Sequence, residues 1–253
     1  MNERKYTFEV CANSVESCLA AQEGGAQRVE LCAGIPEGGT TPSYGEIKTA
    51  RRMLDIRLHV IIRPRGGDFL YSPIEAETML EDIRTARKAG ADGLVFGCLT
   101  PEGNIDLALM QKLMEASGDT PVTFHRAFDH CQNPYRALDE LVSLGVTRIL
   151  TSGQQPTAPQ GASLLKDLQV YAKERIILLA GCGVNETNIR KLAQDTSIRE
   201  FHFSAREQVK SRMLFTNPEV TMGSKDADEY TRDVTTSRRV RATIEALYGT
   251  PYD

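Results

Sequence analysis

An α/β fold, a closed (β/α)8 or TIM barrel forming a single domain over residues 1–253, is what this sequence predicts. Three observations predict it. Short apolar or β-branched runs recur eight times, at 6–11, 28–32, 57–63, 93–97, 122–126, 147–151, 175–180 and 200–204. The gaps between them carry helix-period sequence, as parallel strands with helical crossovers require. Glycine also ends a helix just before a strand in the same way at Gly25-Ala26, Gly90-Ala91 and Gly145-Val146. A doubly wound open sheet is the alternative, but eight units with no internal linker fit the closed form better.

The first two strands repeat one phrase, Phe8-Glu9-Val10-Cys11 and Val29-Glu30-Leu31-Cys32. Period-two alternation puts Glu9 with Cys11, and Glu30 with Cys32, on one face, leaving Phe8, Val10, Val29 and Leu31 to meet the helices. Further along, Ser72-Pro73-Ile74-Glu75 reads as an N-cap, a first-turn proline and a capping-box glutamate, with Met79, Leu80 and Ile83 on one face and Gly90 as the stop. Asn133-Pro134 opens another helix with Leu138, Leu141 and Val142 inward, ended by Gly145, and Asn13, Asn104 and Asn185 are candidate caps elsewhere. The irregular stretch is 206–225, after the last strand. It is longer than a compact connection needs and contains Met213, Phe215, Pro218, Met222 and Gly223, so it reads as a lid or an oligomer contact.

In a barrel, residues at the carboxyl ends of the strands share one mouth. Glu9, Cys11, Glu30 and Cys32 come from the first two strands. Arg63 and Arg65, around Pro64 and before Gly66-Gly67, follow the third, and His125, Arg126 and Asp129 follow the fifth. The sixth ends in Thr151-Ser152-Gly153, the seventh in Gly181-Cys182-Gly183, the eighth in His202 and Ser204. Buried charges are costly unless paired, so this density of charge exceeds what an interior needs for stability and points to a binding or catalytic mouth. Arg63, Arg65, Arg126, Ser152, Gly153, Gly181, Gly183, His202 and Ser204 form the candidate anion set, since glycine turns there often hold phosphate. Glu9, Glu30, His125 and Asp129 are the acid–base candidates. Glu9 and Glu30 also have a purely structural reading, as partners that neutralise Arg63 and Arg65.

The cysteines leave two readings open. On neighbouring strands Cys11 and Cys32 would lie roughly 5 Å apart, within reach of one soft metal such as Cu(I), whereas the adjacent carboxylates favour Mg2+ or no metal. Cys98 and Cys182 fall near the same mouth, Cys18 on a helix face and Cys131 in a loop.

Composition narrows the function class. A net charge of -4 argues against a nucleic-acid surface, Arg238, Arg239 and Arg241 being read as one solvated helix stretch. No run of 18 apolar residues and no signal-like N-terminus occur, so a soluble cytoplasmic protein with no membrane partner is expected. Six cysteines without a C-x-x-C pair read as reduced thiols. Nothing indicates a nucleotide cofactor.

Several of these segments also resemble the CutC family, named as copper homeostasis proteins. They are Glu9-Val10-Cys11, Arg28-Val29-Glu30-Leu31-Cys32, Glu37-Gly38-Gly39-Thr40-Thr41-Pro42-Ser43, Ile62-Arg63-Pro64-Arg65-Gly66-Gly67-Asp68-Phe69, Thr123-Phe124-His125-Arg126-Ala127-Phe128-Asp129 and Leu150-Thr151-Ser152-Gly153. The resemblance spans essentially the whole chain. It implies a TIM barrel, a link to copper tolerance, and Cu(I) binding at the cysteines matching Cys11 and Cys32. Cys182 stands where the family pattern has a small residue, so neither it nor Cys98 is assigned to a family copper site. Three expectations follow: a copper-binding protein, an enzyme acting on a small phosphorylated or carboxylated metabolite, or a scaffold barrel using 206–225 as its interface. A homodimer is expected, since soluble barrels commonly self-associate.

Overall fold

The computed structural model describes residues 6–217, 219–220 and 228–249. Eight parallel strands close in sequence order: β1 (Thr7–Ala12), β2 (Arg28–Leu31), β3 (Arg57–Ile61), β4 (Gly93–Phe96), β5 (Val122–Phe124), β6 (Arg148–Thr151), β7 (Ile177–Gly181) and β8 (Glu200–Phe203), which pairs back onto β1. The helices that follow them are α1 (Val15–Glu23), α2 (Tyr44–Met53), α3 (Pro73–Ala89), α4 (Leu107–Ser117), α5 (Pro134–Ser143), α6 (Ala162–Ala172), α7 (Ile189–Thr196) and α8 (Ser237–Tyr248). Every strand lies within about two residues of its expected position.

Local chemistry explains the best-placed helix ends. Ser72 and Glu75 form the reciprocal capping box of α3, and Gly90 closes that helix with φ 97°, a left-handed conformation that costs glycine little. Asn133 caps α5 through its side chain, with Leu138 and Leu141 buried beneath. At three other helices the cap differs from the expected asparagine: Ser14 serves α1, Asp106 serves α4 and Asn188 serves α7. Asn13 instead bonds Ser17 and the carbonyl of Asp233, while Asn185 caps the turn at Thr187.

Two apolar cores separate the faces of the sheet. The large one lies between barrel and helices and contains Phe8, Val10, Val29, Leu31, Val60, Phe96 and Phe201. The small one lies inside, where Cys32, Ile61 and Val95 pack with Cys11 and Ile35. That division follows from strand alternation, odd and even positions of β1 and β2 going to opposite sides.

The 206–225 stretch is corrected at its start. β9 (Arg206–Lys210) pairs antiparallel with β10 (Thr231–Thr235), placing Arg206 opposite Thr235. The polar sequence Arg206-Glu207-Gln208-Val209-Lys210 carries little β-propensity, so pairing with β10 rather than composition makes it a strand. Met213, Leu214 and Phe215 beyond it are exposed. Pro218, Met222 and Gly223 lie outside the described residues. Among the described residues no helix is long and apolar enough to cross a membrane.

Candidate functional site

Register builds the floor of the site. Glu9 sits opposite Arg28 on β2 and opposite His202 on β8. Its carboxylate bonds Arg28 Nε, contacts His202 Nδ1 at 2.7 Å and lies 3.6 Å from His59 Nδ1. Arg28 in turn reaches Glu200 at 2.5 Å, and Arg148 joins the same Glu200 at 3.3 Å. Gly93 makes this layer possible, since a Cβ there would come within 2.4 Å of His59 Nε2. Burial alone would raise the Glu9 carboxyl, but Arg28, His202 and His59 outweigh it and hold it well below the usual carboxylate range. His59 is pushed down to about 3 by burial and by Arg28 and Arg148, against the opposing pull of Glu9. The expected partners Arg63 and Arg65 play no part here. Both follow the end of β3 and bind loop groups, whereas Arg28, on the same face as Glu30, is where alternation places an inward cation.

Above this floor stand the two thiols and Glu30. Cys11 Sγ and Cys32 Sγ are 3.6 Å apart; Cys32 is buried and Cys11 half-buried. Arg206 Nη2 donates to Cys11 Sγ at 3.3 Å. Cys32 and burial push the Cys11 thiol well above its ordinary value, with His202 pulling the other way. Burial drives the Glu30 carboxyl up to about 8, against His202 at 3.8 Å. Burial disfavours the His202 cation, yet Cys11, Glu30 and Glu9 together raise it well above the ordinary imidazole value. Proton affinity is therefore raised at His202, Glu30 and Cys11 and lowered at Glu9, which gathers exchangeable protons in this layer above an anionic carboxylate. Cys11, Glu30 and Cys32 form one group able to hold a metal ion, and Glu9, Glu30 and His202 a second.

A cavity of about 700 Å3 opens from this layer to the mouth. Cys11, Glu30, Arg63, Phe69, His125, Arg126 and His202 line it. Arg63 donates to the carbonyls of Glu37, Gly39 and Gly67, which fixes the guanidinium, while its buried Nε has no partner among the described residues. His125 accepts from the Ala127 amide at Nδ1, so its neutral ring carries the proton on Nε2, and that buried atom also has no partner among the described residues. Burial, together with Arg63 and His130, pushes His125 down to about 3, keeping it neutral. Both groups meet one ring: Phe69 lies 4.9 Å from His125 by centroids and 5.2 Å from Arg63 Cζ. Two buried donors without acceptors among the described residues, on side chains that line one cavity, are a costly arrangement unless a ligand oxygen completes it.

Asp129 does a different job from the acid–base role expected of it. It accepts from Thr151 Oγ1 at 2.5 Å, the Ser152 amide at 3.0 Å, the Gln154 amide at 3.1 Å and Arg126 Nε at 2.8 Å, with Ser152 Oγ at 2.9 Å. So saturated, it ties the turn after β5 to the turn after β6. Ser152 and Gly153 are consumed in the same knot, Gly153 donating to Thr151 Oγ1 at 2.9 Å. Arg65 is spent on Asp68, on Glu75 at 2.5 Å and on the Leu70 carbonyl. Arg65, Asp129, Ser152, Gly153, Gly181, Glu9 and Cys32 line neither this cavity nor the next. Gly181 is instead a packing position, where a Cβ would meet Leu150 at 2.4 Å.

A second cavity of about 480 Å3 shares Cys11, Gly38, Arg126 and His202 with the first. Its remaining wall comes from the ends of β7 and β8, including Cys182, Gly183, Ser204 and Ala205, from Arg206 and Arg239, and from Ile35 and Thr243. Sequence reading missed Arg206, Arg28, His59, Arg148 and Glu200. Alternation alone would have placed Arg28 and Arg148 inward; Arg206 had no such signal, because its position depends on the β9–β10 pairing.

Comparison with known proteins gives this architecture its relatives. The model of the CutC family matches residues 6–207. A Bacteroides thetaiotaomicron protein named as a family protein CutC is 68% identical over 246 residues, covering 96% of this chain and 99% of the relative. The human copper homeostasis protein cutC homolog is 47% identical over 243 residues, covering 96% of this chain and 89% of the relative. A crystal structure of a Streptococcus agalactiae protein assigned to copper homeostasis as CutC superposes with a TM-score of 0.76 at 36% identity, covering 79% of this chain and 98% of that one. On a family match spanning most of the sequence and relatives aligned along nearly all of it, the chain belongs to the CutC family.

Proposed function

We propose that the protein takes up Cu(I) as cargo between the thiolates of Cys11 and Cys32. The observation that carries this reading is the pair of sulfurs 3.6 Å apart on adjacent strands, one of them half-exposed in the wall of both cavities. Cu(I) is soft and prefers thiolates, so two sulfurs outrank the neighbouring carboxylate as ligands. Glu30 is the third member of that group and a hard oxygen donor. Arg206 and His202 lie against Cys11, where they offset the net negative charge of a dithiolate–Cu(I) unit. The names of the human and Streptococcus agalactiae relatives attach their proteins to copper homeostasis, which supports the reading. Anaerobic titration of reduced protein with Cu(I) against a competing chelator tests it. Replacing both residues, Cys11→Ser with Cys32→Ser, is expected to weaken binding at least about 100-fold, since even the outer partners of metal ligands are worth 10–100-fold. Equal affinity in the double variant sinks the proposal.

The unpartnered donors around Phe69 favour a second reading, an enzyme acting on a small anionic metabolite in the 700 Å3 cavity. In it Arg63 Nε and His125 Nε2 hold ligand oxygens, and Glu30 with His202 forms the acid–base pair, Glu9 fixing the imidazole from below. The cavity lies within the range of small-molecule sites. Thermal unfolding in the presence of small carboxylates such as malonate tests this reading. A rise in midpoint is expected for the wild type, and its loss in Arg63→Lys, with circular dichroism confirming that the variant is folded. A rise of equal size in that variant refutes the role given to Arg63.

A further inference from the structure

The second cavity contains a cation that no carboxylate among the described residues neutralises. Arg206 stands at the start of β9, among the residues that close the ends of β7 and β8. Among the described residues no carboxylate comes within 4.0 Å of its guanidinium, although neighbouring Arg239 pairs with Glu186 at 3.1 Å and Arg238 pairs with Glu207. Its Nη2 donates to a thiol sulfur, a weak acceptor, and its buried Nε has no partner among the described residues. Half-buried in the cavity wall and with no carboxylate beside it among the described residues, this guanidinium is a charged donor that an anionic oxygen in the cavity completes.

The surrounding backbone has the shape such a ligand needs. Cys182 with φ 77°, Gly183 with φ 73° and Ala205 with φ 47° all adopt left-handed conformations, two of them without the freedom of glycine. They turn the chain sharply at the carboxyl ends of β7 and β8, the place where barrels of this architecture commonly receive phosphate. Ser204 adds a hydroxyl to the same wall. Arg239, committed to Glu186 and to the Arg206 carbonyl at 2.7 Å, fixes the strand that carries Arg206 rather than competing for the ligand.

We propose that the second cavity is a phosphate subsite with Arg206 as its charged donor, and that the ligand of the joined cavities is a small phosphorylated metabolite. This rests on the small-metabolite reading and names its substrate class. The phosphate lies against Arg206, Gly183 and Ser204, and the rest of the molecule extends past Cys11 and His202, which line both cavities, toward the donors of Arg63 and His125. Phosphate in this position also meets the sulfur that would hold copper. Bound phosphate and Cu(I) therefore compete for Arg206.

Calorimetric titration with inorganic phosphate, and separately with malonate, tests the proposal on the full chain. Phosphate is expected to bind the wild type. Its dissociation constant should rise at least tenfold in Arg206→Gln and change only a few-fold in Arg206→Lys, which keeps the charge. Malonate binding should survive Arg206→Gln and be lost in Arg63→Lys. No phosphate binding to the wild type, with malonate still bound, overturns the phosphate subsite and leaves the small-metabolite reading standing; absence of both ends that reading as well. Phosphate binding that is equal in wild type and Arg206→Gln overturns the assignment of the arginine. So does a loss of Cu(I) affinity in Arg206→Gln when phosphate fails to bind the wild type, since the arginine then serves the thiols alone.

Discussion

Replacing Glu9 with glutamine is expected to lower the free energy of unfolding by about 3–5 kcal/mol, the cost of removing one partner from a buried ion pair. The side chain is fully buried and keeps nearly the same volume in the variant, so no cavity forms and the loss is electrostatic. What remains is a buried excess of positive charge. Arg28 and Arg148 would share Glu200 alone, and His202 would lose the carboxylate at 2.7 Å that supports its proton. Denaturant unfolding at pH 7 measures the change. Adding Arg28→Met to Glu9→Gln should recover part of it, because an uncompensated charge costs more than an apolar side chain in the same place. A loss below about 1 kcal/mol for Glu9→Gln would show that the network is hydrated and does not act as a buried ion cluster.

Stability should also fall with acid below pH 6.5 through His59 and His125. Each is neutral in the fold, pushed down to about 3, and has an ordinary value near 6.5 when unfolded. A base with a depressed folded value contributes its full stability above the unfolded value and loses it as pH falls toward the folded one, because only the unfolded chain takes up the proton. The two together are expected to cost about 3 kcal/mol between pH 6.5 and 5, a large fraction of a typical domain's stability. The groups around them act in other windows or in the opposite sense. Arg28, Arg57 and Arg148 near His59, and Arg63 near His125, stay charged throughout, while Glu9 opposes the His59 shift and His130 adds to that of His125. Glu30, raised to about 8, favours folding as pH falls from 8 toward 4.5 and offsets about one of the two histidines. His202, raised rather than lowered, loses its contribution only as pH rises above 6.5. The informative quantity is therefore a difference of slopes: urea unfolding from pH 6.5 to 5 in His59→Gln with His125→Gln should lose less stability than the wild type by about 3 kcal/mol. Identical slopes would mean that both histidines take up protons in the folded protein as readily as in the unfolded chain.

The same contrast between local pattern and long-range meeting decides how much of the site was legible in the sequence. Glu9, Cys11, Glu30 and Cys32 share the barrel interior because strand alternation is a local property, and two repeated phrases were enough to reveal it. The capping box at Ser72 and Glu75, written in four consecutive residues, was legible for the same reason. Arg65 and Asp129 looked equally functional from their neighbours. Their partners lie in the loops after β3 and β6, at the end of β6 and in the first turn of α3, and those partners use up the groups that sequence left open.

What the sequence by itself determined is the eightfold strand–helix alternation, the faces of the strands and the set of residues at the barrel mouth. The tertiary structure alone decided which of them touch. Closure of β8 onto β1 brought His202 to Glu9, the staggered register set Arg28 against Glu9 where Arg63 had been expected, and the pairing of β9 with β10 carried Arg206 to Cys11. Periodicity fixes a side chain's face within one strand, but the partner it meets there is set by register and shear across strands tens or hundreds of residues apart, and no local pattern encodes that.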